Sequence, residues 1–208
     1  MAEPVGPPAP TASAFAGAVL AGGASSRLGR DKALAELAGT TLVERSVDAL
    51  RSAGASPIVV VGGDVAGLEQ LGLTVIADGW PGRGPLGGIL TAFAWSPAEV
   101  VVVVACDLPL VGDEVIGRLR AALEDEEDGP VDAAIARTDR LEPTCAAWRV
   151  ARCDGAMLAA FTAGERAVHR ALGGLSIREV AVERHRLLNV NTPDDLAVAE
   201  AYLNGPTA

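Results

Sequence analysis

Positive charge is scarce in this chain. Of 208 residues, 17 are Lys or Arg and 27 are Asp or Glu, a formal net charge of −10. A broad nucleic-acid footprint requires the opposite sign, so no nucleic-acid partner is expected. Aromatics are equally sparse: three Phe, three Trp and one Tyr, too few for a base-stacking platform. The three cysteines, Cys106, Cys145 and Cys153, are odd in number and lack paired spacing. They fit neither a disulfide framework nor a zinc site, and read as reduced thiols of a cytosolic protein. No Lys or Arg precedes Arg27, so the apolar N-terminal stretch lacks the positive region of a secretory signal. The longest apolar run, Val100 to Cys106, is far shorter than the ~18 residues that suggest a membrane span. A cytoplasmic location away from membranes is the expectation.

What is abundant is apolar residues, at 50%, and glycine, at 24. Residues 1–13 hold four Pro without hydrophobic period and read as a disordered leader. Residues 14–204 read as a single domain in which strand and helix patterns alternate. Strands are expected at 15–20, 58–61, 73–77, 100–105, 131–136, 144–148, 177–182 and 187–190. Helices are expected at 41–53 (Val43, Val47 and Leu50 on one face), at 65–71, around Leu86–Ile89–Leu90–Phe93, around Ile116–Leu119–Leu123, and through 151–172. The acidic run 124–128 reads as a solvated helix end. Five consecutive Val at 100–104 predict a central strand, apolar on both sides and covered by helices on each face. The last helix has a clear start: Thr192 as cap, Pro193 in the first turn, then Asp194 and Asp195. Repeated alternation predicts a three-layer α/β fold with a mostly parallel, Rossmann-like sheet. Ligands of such sheets sit at the carboxyl ends of the strands, which ranks the loops after strands one, three and the Val-rich strand.

The first of these loops reads Leu20-Ala21-Gly22-Gly23-Ala24-Ser25-Ser26-Arg27-Leu28-Gly29-Arg30-Asp31-Lys32. Adjacent glycines let backbone N–H groups approach an anion, and Arg27, Arg30 and Lys32 add charge in an acidic chain. A triphosphate fits this pattern, and so does a plain surface loop. The dinucleotide fingerprint GxGxxG is missing. A P-loop is missing too, because the Gly23–Gly29 spacing is one residue too long and Lys32 does not follow the glycine. Asp107, just past the Val-rich strand, suits either Mg²⁺ or the capping of a turn. Asp78 opens a second Gly/Pro loop whose Gly84, Gly87 and Gly88 allow close backbone approach; an Asp before Gly79 is also a common turn start. Asn189 and Asn191, one residue apart in an expected strand, share a face, and Asn is a poor strand former. His169 and His185 read as surface residues, and Cys106 as a buried thiol without a nucleophilic role.

The run Leu-Ala-Gly-Gly-x-Ser-x-Arg-x-Gly-x-Asp-Lys resembles the signature of the nucleotidyltransferase superfamily. Within it, the chain is most similar to the molybdenum cofactor guanylyltransferases. Four further segments match in order: Asp78 with Gly84-Pro85-Leu86-Gly87-Gly88; Cys106-Asp107-Leu108-Pro109; Pro143 with Ala147-Trp148-Arg149; and Asn189-Val190-Asn191-Thr192-Pro193-Asp194. The likeness spans residues 15–203. Leu28, where the family usually has Met, and Glu142, before Pro143, depart from it.

The resemblance implies transfer of GMP from GTP to the terminal phosphate of molybdopterin, with release of pyrophosphate. It implies nucleotide contacts from Leu20, Ala21, Gly22, Gly23, Lys32, Asp78, Gly84, Gly87 and Asp107. Arg27 and Lys32 are expected on the β- and γ-phosphates, and Mg²⁺ on Asp107. Asn189, Asn191 and Pro143 are expected beside the acceptor, with Asn191 near the reaction centre. One carboxylate can accept both N1–H and N2–H₂ of guanine, a role that suits Asp78. Gly22, where pyrimidine-using relatives tend to carry Ala, leans toward the larger purine. Arg137, Arg140 and Arg149 are candidates for an acceptor phosphate. A molybdenum insertase and chaperones of recipient enzymes are the partners the family suggests. A cytidylyltransferase on the same pterin, a sugar-phosphate enzyme, a catalytically idle nucleotide-binding module and a dinucleotide-dependent oxidoreductase are the alternatives.

Overall fold

A computed structural model describes residues 15–22, 31–125, 127 and 129–205. The leader segment 1–13 lies outside the described residues. The elements in chain order begin with β1 (Ala16–Leu20), β2 (Glu36–Leu37), β3 (Thr40–Thr41), α1 (Leu42–Ser52), β4 (Ile58–Val61), α2 (Val65–Gln70), β5 (Val75–Ile76) and α3 (Pro85–Trp95). They continue with β6 (Val100–Ala105), α4 (Asp113–Glu124), β7 (Ala133–Arg137), β8 (Leu141–Arg149), α5 (Val150–Thr162), α6 (Val168–Ala171), β9 (Ile177–Ala181) and α7 (Pro193–Asn204). Short 3₁₀ turns lie at Lys32–Leu34 and Arg184–Leu187.

Seven strands form one sheet in the order β5-β4-β1-β6-β8-β7-β9. All neighbours pair in parallel except β8, which runs antiparallel to both β6 and β7. The mostly parallel expectation holds. The Val-rich strand is central, and Val101 to Val104 are fully buried. Val102 and Val104 join the cluster formed with α1 and α4; Val101 and Val103 join the one formed with α3, α5 and α6. Period-two alternation distributes one apolar run between two cores. A third, smaller cluster of Ala35, Leu37, Leu42, Leu110, Val190 and Ala199 lies under α7.

The helix starts follow local chemistry. Thr41 and Glu44 form a reciprocal capping box on α1, and Thr192 and Asp195 form one on α7. Two expectations require correction. The helix expected through 151–172 is broken into α5 and α6. Gly164, at φ +101°, ends the first, and Glu165 accepts the N–H groups of Arg166 and Ala167 that open the second. The strand expected at 187–190 does not form. Leu187 packs on the α1/α4 core whereas Leu188 and Val190 pack on the α7 cluster, so the segment bridges two cores instead of lying along one sheet edge.

Candidate active site

The chain runs from β1 through β4 to β5 on one side of the sheet and then places β6 on the other side of β1. The β1/β6 boundary is therefore the switch point where outgoing loops diverge and a crevice opens. Leu20 pairs with Ala105 at the carboxyl ends of both strands, so the loops that follow them emerge side by side. The antiparallel β8 presents its amino end there: Cys145 pairs with Val104, which puts Glu142, Pro143 and Thr144 on the same edge. Pro143 sits in the irregularity where β7 and β8 shift register, the part of a sheet that tolerates a residue without N–H. The same register sends Arg149 to the opposite edge, opposite Val100. There its guanidinium meets Leu123 O, Val131 O and Glu99, so Arg149 is no acceptor ligand. Arg137 lies on the correct edge and pairs with Glu179; Arg140 is exposed in the β7–β8 turn.

At the switch point, residues far apart in sequence meet. Lys32 Nζ donates to Asp107 Oδ2 at 2.9 Å and to Asn191 Oδ1 at 2.7 Å. Asn191 Nδ2 donates to Asn189 Oδ1 at 2.6 Å. An ammonium has no acceptor, so it fixes which end of the Asn191 amide faces it. Asn189 and Asn191 thus do share one side, though in an irregular segment and not on the expected strand. Backbone bonds hold this frame. Val190 N–H donates to Asp107 O at 2.8 Å, and the N–H groups of Asn191 and Thr192 both donate to Asp195. Those donors, Asn191 N–H first, hold the Asp195 carboxyl below the ordinary aspartate range.

Asp31, one residue of the glycine-rich motif, positions Lys32. Its Oδ1 accepts from Ala33 N–H and caps the 3₁₀ turn, while Oδ2 accepts from Asp64 N–H at 2.6 Å. One carboxylate thereby ties the Lys32 turn to the loop after β4. Asp64 was not anticipated, and Asp195 was expected only as part of the start of the last helix. The available signal was local: Asp one or two residues before a short turn, and Asp at the third position of a capped helix.

On the other side of β1, Asp78 Oδ1 accepts from Trp80 N–H at 2.9 Å and from the Thr91 hydroxyl at 3.2 Å. Thr91, a buried polar residue of α3, also accepts from Gly79 N–H and reaches Gly87 O. It was missed because it lies in an otherwise apolar helix face. Asp78 Oδ2 remains toward Gly22: a Cβ built on Gly22 would lie 3.8 Å from it, with no other heavy atom within 4 Å. Among the described residues the fold itself thus leaves room at Gly22.

Gly84 caps α3 at φ +81°, a conformation that favours glycine. Gly87 and Gly88 are buried in α3. Their missing side chains admit Trp80, whose Cβ lies 3.1 Å from an added Cβ at 87, and Leu20, whose Cδ2 lies 3.3 Å from one at 88. Packing accounts for both glycines. Leu20 O and Ala21 N–H are already engaged, by Cys106 N–H and Val61 O, and extend the sheet toward the loop. Gly23 and Arg27 lie outside the described residues.

No thiol is poised to react. All three cysteines are buried, and burial above all pushes Cys106 and Cys153 up to about 12; Cys145 is raised too. His185 stacks on Tyr202 beside a cavity of about 470 Å³ between α1, residues 109–113 and the end of α7; no described site residue lines it. His169 is exposed.

Among the described residues, no group of three or more His, Cys, Asp or Glu converges as a metal site. Asp107 and Asn191 nonetheless direct two hard oxygens at one cation, the Lys32 ammonium. Magnesium suits such a sparse donor set, since it binds through one or two carboxylates and completes its shell with phosphate and water. No helix is long and apolar enough to cross a membrane among the described residues.

The arrangement has relatives. Residues 17–179 match the family model of the MobA-like NTP transferase domain. The chain is 37% identical over 197 residues to a molybdenum cofactor guanylyltransferase of Rhodobacter capsulatus, covering 91% of this chain and 96% of that one. It is 36% identical over 197 residues to a probable molybdenum cofactor guanylyltransferase of Opitutus terrae, covering 88% and 94%. Among solved structures, molybdopterin-guanine dinucleotide biosynthesis protein A from Archaeoglobus fulgidus superposes with a TM-score of 0.72 at 28% identity, over 91% of this chain and 99% of that one. A cytidylyltransferase of Thermus thermophilus shares the fold at 19% identity and a TM-score of 0.68, over 89% and 97%. The motifs, the switch-point geometry and these matches agree that the chain is a nucleotidyltransferase belonging to the MobA-like NTP transferase family.

Proposed function

We propose that the protein transfers GMP from GTP to the terminal phosphate of molybdopterin, giving the guanine dinucleotide form and pyrophosphate. The observation that carries this reading is the convergence of Lys32, Asp107 and Asn191 at the β1/β6 switch point. A phosphate oxygen of the acceptor forms a bond to the α-phosphorus of GTP while the bond to the β-phosphate bridging oxygen breaks. The attacking oxygen is already ionised near pH 7, so the reaction needs positioning and charge neutralisation and not a general base. Lys32 supplies the positive charge for the departing pyrophosphate, aided by Arg27 from the glycine loop. Asn191, oriented by Asn189, lies where it can steer the acceptor, and Pro143 borders the same edge. Asp107 and the Asn191 oxygen would hold Mg²⁺, which supplies neutralisation of phosphate charge. Gly22 lies close to Oδ2 of Asp78, and the missing side chain there suits close approach of a purine.

The test is incubation of the protein with Mg²⁺, molybdenum-loaded molybdopterin and GTP, with CTP in parallel, and identification of the product by mass. A guanine dinucleotide with pyrophosphate release establishes the activity. A cytosine product alone replaces GTP by CTP and removes the role given to Gly22. Binding of GTP without any product shows that the acceptor is a different phosphate.

A further inference from the structure

The backbone around Asp107 and Asn191 is held by bonds that do not involve Lys32. Asp107 is anchored through its own carbonyl to Val190 N–H, and the Asn191 amide is turned by its bond to Asn189. Asp195 fixes the backbone of Asn191 and Thr192. Two oxygens on separately anchored segments face one position, and Lys32 Nζ occupies it at 2.9 and 2.7 Å. Lys32 is itself presented by a separate frame, the turn capped by Asp31. An ammonium and a divalent cation cannot share that position: at about 3 Å their repulsion is large even in water.

Resting on the reading of Asp107 and Asn191 as cation ligands, we propose that this is a cation-exchange site. Lys32 fills the cation position while nucleotide is absent. It leaves only when an incoming polyphosphate offers its ammonium a replacement for the two oxygens. The exchange makes and breaks only ionic and hydrogen-bonded contacts. Its consequence is coupling: free divalent cation binds poorly because it must expel Lys32 into solvent, whereas cation and triphosphate together satisfy every charge. The two ligands thus bind with positive linkage, and each raises the affinity of the other by the same factor.

The test uses Mn²⁺ binding to the intact protein, read from the electron paramagnetic resonance signal of free Mn²⁺, with and without a non-hydrolysable GTP analogue. Lys32→Gln is expected to bind Mn²⁺ at least about tenfold more tightly than wild type when nucleotide is absent, since one opposing charge is gone. With the analogue present, the order reverses and wild type binds more tightly. Lys32→Met, which keeps the length of the stem, is expected to repeat the result. Thermal melting of both variants confirms folding. Adding Asp107→Asn to Lys32→Gln is expected to abolish the gain. Unchanged or weaker Mn²⁺ binding by both Lys32 variants without nucleotide overturns the exchange, and so does a gain that survives Asp107→Asn. Product formation from GTP by the wild-type protein decides the proposed function separately. A guanine product with unchanged Mn²⁺ affinity in the variants removes the exchange and leaves the reaction standing.

Discussion

The ammonium of Lys32 lies 2.9 Å from Oδ2 of Asp107 across 75 residues of sequence, and that contact spans the switch point of the sheet. Its side chains are 14% and 25% exposed, so the pair is part-buried yet still reachable by a ligand, and desolvation of the two charges offsets much of their attraction. Asp107→Ala and Lys32→Ala are each expected to leave less than a tenth of the wild-type turnover while melting within a few degrees of it. Steady-state rates with GTP and acceptor, beside a thermal melt, check this. Retention of more than a tenth of the rate in either variant removes that residue from the machinery.

Among the described residues, no neighbour of Gly22 forbids a methyl group; the nearest such atom to an added Cβ is Asp78 Oδ2 at 3.8 Å. Gly22→Ala is therefore expected to leave stability unchanged or raise it by up to ~1 kcal/mol through the unfolded chain. Its cost falls on the ligand: KM for GTP rises and the preference for GTP over CTP narrows. Equal effects on both nucleotides would place Gly22 near the phosphates and not the base.

The Thr91 hydroxyl accepts from Gly79 N–H and shares its one proton between Gly87 O at 2.9 Å and Asp78 Oδ1 at 3.2 Å. Thr91→Val keeps the shape and removes those bonds. Gly79 is exposed, so water can replace the lost bond to its N–H and the stability cost is expected to be about 1 kcal/mol or less. The kinetic expectation is a several-fold rise in the KM for GTP with little change in kcat. A fall in kcat at constant KM would show that the Asp78 loop acts on the reacting phosphates.

Glu165 organises the elbow between α5 and α6, and Arg166 from that elbow lies over the Phe161 ring, which in turn meets Trp80 of the second loop edge-on. Arg170 above all, with the N–H groups of Ala167 and Arg166, holds the Glu165 carboxyl down to about 2 from the ordinary 4.5. A carboxyl with a lowered pKa in the folded state contributes stability that is complete above about pH 4.5 and fades as the pH falls toward 2. Melting temperatures of wild type and Glu165→Gln should therefore differ most near neutrality and converge below pH 4.5. A difference that stays constant to pH 2 contradicts the assignment.

Buried thiols with raised pKa values predict chemical silence. Cys106, Cys145 and Cys153 are expected to resist a disulfide reagent at pH 8 in the native protein and to react in full after denaturation. Cys106→Ala, next to Asp107, should retain most activity. Rapid native labelling of Cys106 with loss of activity would reopen a role for that thiol.

The alternation of strands and helices, the doubly covered Val-rich strand and the capped last helix were legible because each rests on local periodicity or a local cap. Other features were not. The β2–β3 hairpin turns through Ala38-Gly39, which lacks the Asn-Gly or Asp-Gly signal of such turns. Residues 187–190 look like a strand because Leu187, Leu188 and Val190 are apolar, yet they serve two different cores. Asp31, Thr91 and Asp195 act on the site through two or three hydrogen bonds each, a pattern that polar residues in turns and helix starts share everywhere.

By itself, the sequence determined the fold class, the family signature and three of the residues that meet at the site, because hydrophobic period and glycine-cation spacing are properties of neighbouring residues. Only the tertiary structure decided that Lys32, Asp107 and Asn191 touch, that Arg149 points away, and that Gly87 and Gly88 serve packing. The register of β8 against β6 and the crossing of the chain at β1 set those relations. Each depends on pairing between strands far apart in sequence, a non-local interaction that no local pattern encodes.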